Sequence, residues 1–171
     1  EITYGDWSSD VCSSDLNMWV TAMDFTPGAP APVVFKIGPT GTILATYTLP
    51  MKEGPGGIAF DGVNMWVTDP GGNAVIRITP SGSITKFPLT EGAQSPRGIT
   101  FDGRRLWIAN TKSHTVSKFD MTTGSVIASI ALNALDFPVA IANGNRKTKY
   151  YAPASIRCSV LSFSVGPRRN A

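Results

Sequence analysis

Short apolar stretches alternate with polar turns along most of this 171-residue chain. The apolar stretches are rich in Val, Ile, Thr, Phe and Trp, and the segments between them are rich in Gly, Pro, Asn and Asp. β-Branched and aromatic residues favour strands, whereas glycine and proline favour turns. No stretch has the i, i+3, i+4 apolar spacing of an amphipathic helix, so the pattern predicts an all-β protein with little helix.

The central part of the chain shows the predicted strands most clearly. We expect four strands there, at residues 57–61, 64–68, 75–79 and 83–89. The Asp61-Gly62 pair joins the first two strands, and residues 80–82 join the last two. Because Asp-Gly pairs tolerate the positive φ of tight hairpin turns, this unit is predicted to be a four-stranded antiparallel sheet.

This unit is repeated at a spacing of 41 residues. PGGIAFDGVNMWVTD at 55–69 returns as PRGITFDGRRLWIAN at 96–110, and FKIGPTGTI at 35–43 returns as IRITPSGSI at 76–84. Four short strands in about 40–45 residues are typical of one β-propeller blade. The repeats therefore predict four-stranded sheets arranged radially around a channel.

The uneven copies predict a partial β-propeller, with two full four-stranded blades flanked by two incomplete ones. We place the blades at approximately residues 17–50, 55–90, 96–133 and 137–165. In the last blade we expect the first strand at 137–144 and the third strand at 158–165, with Tyr150-Tyr151 replacing the tryptophan. Because propellers close with about four to eight blades, we expect the chain to be a fragment of a larger ring.

The first 16 residues do not fit the repeat. Residues 6–16, DWSSDVCSSDL, have no strand or helix periodicity and resemble a translated sequencing adapter. We therefore treat residues 1–16 as non-native and exclude them from fold reasoning. Without their four acids, the remaining chain is more positive than the +3 of the whole sequence. Cys158 is then its single cysteine, which excludes an intrachain disulfide in residues 17–171.

Aromatic residues at repeated positions are predicted to be structural. The predicted repeat core consists of Trp19, Trp66, Trp107, Phe60 and Phe101. Large aromatic side chains on a repeat period are normally buried, so we favour packing between blades over stacking platforms for sugars or bases. Asp61 and Asp102 precede glycines, and we expect them to cap turns rather than bind a metal.

The segments GIAFDGVNMWVTD and AVIRITPSGSITKFPL resemble NHL/YVTN-type bacterial β-propeller repeats, and they are also similar to the streptogramin (virginiamycin B) lyase family. The resemblance covers most of residues 17–132. For function, it implies a carbon–oxygen lyase that uses a histidine, acidic residues and magnesium at the channel mouth. The matching positions are Gly56, Asp69, Arg97 and Asn110. None is histidine and only Asp69 is acidic, so we assign no catalytic, cofactor-binding or metal residue and expect magnesium only in a lyase-like protein.

His114 is the single histidine of the chain and precedes a predicted third strand. Its counterpart in the previous repeat is Asn73, a loop position. We favour a loop histidine over a general base, although the ordinary pKa of histidine suits acid–base catalysis. The weak candidates for a functional site are therefore Asp69, Arg97, Asn110 and His114.

Basic residues form three groups in the sequence. These are Arg104-Arg105 with Lys112 and Lys118; Arg146, Lys147 and Lys149; and Arg168-Arg169. Such charge attracts phosphate backbones and other anionic polymers, but here it lies in turns without interleaved exposed aromatic residues. The pattern therefore favours a solvated surface over a nucleic-acid site. No apolar run is long enough to span a membrane, and only the family resemblance favours an extracytoplasmic location.

Three functions remain open from the sequence. The first is a non-catalytic propeller scaffold that binds a protein partner or small ligand through its loop face. The second is a streptogramin-lyase-like enzyme whose catalytic residues lie in blades outside this chain. The third is binding of an anionic polymer, RNA or glycan, through the basic turns.

The 171-residue chain is predicted to self-associate, because an incomplete ring leaves strand edges and apolar blade faces uncovered. Size-exclusion chromatography with light scattering should show oligomers or aggregates. A monodisperse monomer that unfolds cooperatively would contradict this expectation.

Overall fold

The computed structural model describes residues 17–24, 31–90 and 92–144. These residues form strands and turns, and no helix occurs among them. The strands are β1 (Met18–Asp24), β2 (Ala31–Ile37), β3 (Ile43–Thr48), β4 (Ile58–Phe60), β5 (Met65–Asp69), β6 (Ala74–Ile78), β7 (Ile84–Pro88), β8 (Pro96–Phe101), β9 (Leu106–Asn110), β10 (Thr115–Asp120) and β11 (Ser125–Ala131). A membrane-crossing helix is accordingly not found within these ranges. The predicted all-β class is confirmed.

The strands form three antiparallel sheets in which each strand pairs with its neighbours along the chain. The first sheet has the order β1-β2-β3, the second β4-β5-β6-β7, and the third β8-β9-β10-β11. The two four-stranded sheets have the same register, because Trp66 pairs with Arg77 in one and Trp107 pairs with Lys118 in the other. The predicted partial β-propeller is therefore confirmed, with the 41-residue repeats forming equivalent blades.

The hairpin between β4 and β5 shows how the Asp-Gly pair forms a turn. Oδ1 of Asp61 accepts hydrogen bonds from the backbone N–H groups of Val63 at 2.8 Å and Asn64 at 2.6 Å. Gly62 has a φ of 98°, and this positive φ costs little free energy because glycine has no Cβ. Asp102 makes the same bonds in the next blade, so both aspartates cap turns as predicted.

The main hydrophobic core lies between the second and third sheets. Trp66 from β5 is 1% exposed, and its ring centroid lies 5.5 Å from that of Phe87 and 5.8 Å from that of Phe119. Leu106 and Ile108 from β9 contribute to the same cluster. Burial of each such side chain contributes about 1.5–3 kcal/mol to folding. The prediction that Trp66 packs between blades is confirmed.

The other predicted core residues are less buried. Trp19 packs against the smaller cluster between the first and second sheets, and Phe101 packs against the main cluster, both only partly buried. Trp107 is also partly buried, because it belongs to the far face of the third sheet. Phe60 is 46% exposed, so its assignment to the core is wrong. It lies on the β4 face that turns toward the first sheet, which has only three described strands.

Residues 137–144 do not form the strand that we expected. They lie beside β8 instead. Ala140 is so close to Gly98 that a Cβ added to Gly98 would lie 2.7 Å from the Cα of Ala140. The side chain of Thr111 donates a hydrogen bond to the carbonyl of Pro138 at 2.7 Å. A side-chain hydrogen bond, rather than a ladder of backbone hydrogen bonds, therefore connects this segment to the third sheet. The other predictions for the last blade and for residues 1–16 lie outside the described residues.

A unit of aspartate, tryptophan and cation recurs along the blades. The indole N–H of Trp66 donates to Oδ2 of Asp61 at 2.7 Å, and the Arg77 guanidinium lies 5.9 Å from the indole centroid. In the third sheet, the Trp107 indole donates to Asp102 at 2.6 Å, and Lys118 lies 5.2 Å from its ring. A cation near a ring face and a carboxylate at its N–H fix the indole orientation. The first sheet keeps the cation, with Lys36 at 5.5 Å from Trp19.

The two turn aspartates are stabilised in their ionised form. Burial is the largest single influence on Asp61 and raises its pKa, but hydrogen bonds from Asn64, Trp66 and Val63 together lower it below its usual value. The pKa of Asp102 is likewise lowered, because hydrogen bonds from its turn and from Trp107 outweigh the effect of burial.

Trp66→Ala should lower the free energy of unfolding by about 3–5 kcal/mol, because it removes a fully buried ring from between two sheets. Trp107→Ala should cost less, since this ring is partly exposed. Urea denaturation of both variants at pH 7 measures the difference. If Trp107→Ala lowered the free energy of unfolding as much as Trp66→Ala, the core between the two sheets would have been placed incorrectly.

The Asp61→Asn/Asp102→Asn double variant should be less stable than the wild type at pH 7. Since the folded-state pKa of each aspartate is lowered, its contribution is complete above the ordinary value of 3.8 and is lost as the pH falls through the folded value. The difference between the two proteins should therefore shrink below about pH 4. Urea unfolding at pH 7, 5 and 3 tests this, and a difference independent of pH would refute it.

Candidate functional site

All four candidate residues lie at one edge of the blades. In each four-stranded sheet, this edge holds the start of the first and third strands and the end of the second and fourth. We call it the loop face. Asp69 and Asn110 end β5 and β9, Arg97 follows the first residue of β8, and His114 precedes β10. The fold therefore brings to one face the residues that the sequence only suggested.

Asp69 has a structural role at this face. Its side chain is fully buried, and Oδ2 lies 2.6 Å from Nζ of Lys86. Its Oδ1 accepts the backbone N–H of Gly72 at 2.9 Å. A Cβ on Gly72 would overlap the carboxylate, so glycine is needed for this close approach. An acid that is buried, paired and hydrogen-bonded is not accessible to a substrate.

Asn110 is the counterpart of Asp69 in the next blade and is also buried. Its amide Nδ2 donates to Oγ1 of Thr115 at 3.0 Å and to Oγ of Ser117 at 2.8 Å. These bonds connect the end of β9 to the neighbouring strand β10. The side chain therefore stabilises the sheet from inside.

His114 connects a loop to the segment that follows its own blade. Its Nδ1 lies 2.7 Å from the carbonyl oxygen of Asp136, which can only accept, so Nδ1 carries the proton. The ring also packs edge-on against Phe137, with centroids 4.7 Å apart. Its counterpart Asn73 makes an equivalent link by accepting the backbone N–H of Ser95 at 2.8 Å.

The backbone at these two positions explains their residue types. His114 and Asn73 both have positive φ, at 55° and 46°, in the left-handed region where Asn and His are enriched. The carbonyl of each accepts a bond from the end of the outer strand, from Leu132 and Leu89 respectively. The predicted loop position of His114 is thus confirmed, and its contacts are those of a connection between blade elements.

Arg97 is the exception among the candidates, because its side chain is exposed while its backbone is fixed. Its carbonyl accepts hydrogen bonds from the N–H of Gly57 and the hydroxyl of Thr68, both at 2.7 Å across the junction between two blades. The guanidinium makes no hydrogen bond or ion pair within the described residues. Arg97 also lies in a β-bulge of β8, between Pro96 and Ile99. Bulges commonly redirect a side chain next to a site.

Two cavities meet at Arg97. The first, which we call the polar cleft, has a volume of about 230 Å³ at the loop face, and its lining includes Glu53, Gln94, Ser95, Arg97 and Lys112. The second, the inner groove, has a volume of about 390 Å³ along the first strands, and its lining includes Ile58, Arg97, Ile99, Val139 and Ile141. Arg97 lines both. The combined site therefore offers a charged end and an apolar end.

Sequence reasoning did not identify Glu53 or Gln94 as site residues, and it placed Lys112 in the wrong group. Lys112 lies on the loop face, whereas Arg104 and Arg105 lie in the β8–β9 turn at the opposite edge. Arg105 forms an ion pair with Asp120 at 3.1 Å, and Lys118 covers Trp107. The single basic group expected from residues 104–118 is thus wrong. The repeat spacing places Glu53 and Gln94 at the same repeat position, but it gives no sign that they line one cleft.

The described residues contain no group of three or more His, Cys, Asp or Glu side chains arranged to hold a metal ion. The charged side chains at the polar cleft are one acid and two bases; Glu53 and Lys112 lie in loops, and Arg97 lies near the start of β8. This arrangement is suited to ionic and hydrogen-bonding contacts with a ligand.

Comparison with known proteins identifies similar folds. No protein-family model and no curated protein sequence matches the chain. Among solved structures, virginiamycin B lyase from Staphylococcus aureus is 28% identical with a TM-score of 0.56, over 63% of this chain and 37% of the lyase. A catalytically inactive variant of that lyase with quinupristin is 27% identical with a TM-score of 0.60, over 72% and 41%.

The nidogen/laminin complex also contains a similar chain, at 19% identity and a TM-score of 0.59 over 72% of this chain and 46% of that one, which shows the fold alone. By comparison with the two lyase structures, this chain spans about two fifths of the length of the proteins that it matches. This similarity agrees with the resemblance to the streptogramin (virginiamycin B) lyase family identified from the repeats. In fold and in sequence, this chain is similar to the virginiamycin B lyases.

Proposed function

We propose that this chain is part of a non-catalytic β-propeller scaffold that binds a ligand or partner through its loop face. The observation that carries the proposal is that some polar side chains at this face have partners within the fold and others do not. Asp69, Asn110 and His114 are held by contacts within the fold, whereas Arg97 is free at the meeting point of two cavities. Among the described residues, the face thus offers contacts to a ligand without a positioned acid–base pair.

The shape of the site supports binding. The inner groove is an open depression with a volume of about 390 Å³, and the polar cleft adjoins it at Arg97. Rigid blades also hold the surrounding loops in fixed positions, as in many proteins whose binding residues lie on loops.

A streptogramin-lyase-like enzyme is the second candidate. The specific observation in its favour is the 27–28% identity to virginiamycin B lyase, one structure of which holds quinupristin. In that case the catalytic residues would lie in blades beyond this chain, and the described blades would contribute structure and substrate contacts. Fold similarity by itself does not transfer an activity.

The full chain should bind small probes at the loop face and leave them chemically unchanged. We suggest ¹⁵N–¹H spectra of the labelled chain titrated separately with quinupristin, octanoate, octan-1-ol and octylamine. Amide shifts should appear at Glu53, Gln94, Ser95, Arg97 and Lys112, because these residues line the polar cleft. Mass spectrometry of quinupristin incubated with the chain and magnesium should show the intact compound.

The opposite edge of the blades provides the control. The turns at residues 61–64 and 102–105 should not shift with any probe. Loss of intact quinupristin would overturn the non-catalytic assignment and would place the catalytic residues of a lyase within this chain. If none of the four probes shifts the loop-face amides, the binding proposal itself is wrong.

A further inference from the structure

We propose that Arg97 and Lys112 bind the carboxylate of a small amphiphilic acid whose apolar part lies in the inner groove. This inference rests on the loop-face function proposed above and names its class of ligand. It starts from the free cations of the described blades.

Most cations of the described blades have partners within the fold. Lys36, Arg77 and Lys118 lie over tryptophans, as described above. Lys86 and Arg105 pair with aspartates. By contrast, the exposed side chains of Arg97 and Lys112 make no ion pair or hydrogen bond in the described part of the chain, and both line the polar cleft. Two unpaired cations at one cleft create a local preference for an anion.

The internal repeat shows that these charges are not required by the fold. Arg97 occupies the repeat position of Gly56, and Lys112 occupies that of Gly71. The preceding blade is built with glycine at both places, so neither cation is needed to form a blade. A third difference also makes the charge more positive, because neutral Gln94 occupies the repeat position of the acid Glu53. All three differences make the junction between the second and third sheets more positive.

The packing around Arg97 makes room for its side chain. At Gly56, a Cβ would overlap the hydroxyl of Thr68, so that position accepts only glycine. The counterpart of Thr68 in the third sheet is Ala109, which has no hydroxyl. The β-bulge leaves Arg97 and Gly98 without paired residues on β9. The arginine is thus accommodated by a matched change in the neighbouring strand.

The carboxylate fits the charged end of the site. The planar guanidinium of Arg97 can donate two parallel hydrogen bonds to a carboxylate, and Lys112 adds a second positive charge. Glu53 also lines the cleft and lies against Gly71, where a Cβ on the glycine would be 2.7 Å from the Glu53 carboxyl carbon. One acid against two cations leaves the cleft positive.

The apolar end of the site defines the rest of the ligand. The lining of the inner groove includes Ile58, Val139 and Ile141 together with Gly56, Gly57 and Gly98, and Arg97 stands at the boundary with the cleft. Val139 is 61% exposed, so apolar surface is available for burial by a ligand. A molecule with a carboxylate at one end and an alkyl or similar apolar body matches both ends together. Burial of apolar surface supplies affinity, and the carboxylate supplies orientation.

Isothermal titration calorimetry of the full chain with sodium octanoate, below its micelle concentration, tests the inference. Octanoate should bind at least about tenfold more tightly than octan-1-ol, the effect of one charge-assisted hydrogen bond. Arg97→Gln and Lys112→Gln should each weaken octanoate binding by about tenfold without changing octanol binding. Arg97→Lys should retain part of the affinity. Raising the salt concentration should weaken octanoate binding, because the site is exposed.

Arg104→Gln is the matched control, since Arg104 is an exposed arginine at the opposite edge. It should leave octanoate binding unchanged, and all variants should keep the wild-type thermal midpoint. Equal affinity for octanoate and octan-1-ol, tighter binding of octylamine, or an Arg97→Gln/Lys112→Gln variant with unchanged octanoate affinity would overturn the inference. In those cases probe shifts at the loop face would still support the scaffold function, whereas no shift with any probe would refute both.

Discussion

Indole rings packed between neighbouring sheets hold the described blades together. Trp66 is buried between the second and third sheets, and its position is fixed by Asp61 at the indole N–H and Arg77 near the ring face. Because the aspartate also caps the β4–β5 turn, one side chain couples hairpin geometry to inter-blade packing. A repeat that preserves this unit preserves the angle at which the next blade can pack. The repetition of Asp102 and Trp107 in the third sheet follows from this constraint.

A second constraint acts where the first strands of adjacent blades approach each other. The N–H of Gly57 bonds the carbonyl of Arg97, and a Cβ on Gly57 would lie 2.7 Å from that oxygen. Thr68 bonds the same carbonyl through its hydroxyl. The backbone of Arg97 is therefore held rigidly while its side chain points away from these contacts into open cavities. A charged group on a fixed backbone is a favourable basis for a binding site.

The proposed function follows from this division between fixed and free groups. Propellers with unrelated roles share their architecture, so the similarity to virginiamycin B lyase establishes the arrangement of the blades. Function depends on what each loop adds. Here Asp69 and Asn110 stabilise their own blades, and the unpaired cations Arg97 and Lys112 line the polar cleft at the junction between the second and third sheets.

The sequence by itself determined the strands, the Asp-Gly turns and the 41-residue period, because these depend on local backbone preferences and on alternation along the chain. It also identified Trp66 as a core residue and grouped Asp69 with Asn110 at one repeat position. Tertiary structure decided which repeated aromatic residue is covered, since burial depends on the neighbouring sheet. The exposure of Phe60 and the absence of a strand at 137–144 are consequences of this dependence.

Only the tertiary structure also revealed the polar cleft. Its residues come from four separate loops or strand ends, and their proximity arises from the packing of two blades. For the same reason the basic residues at 104–118 separate onto opposite edges, although they are close in sequence. Local sequence thus specified the blade, and contacts between blades decided which of its charged side chains were left free, because pairing requires a partner brought near through space.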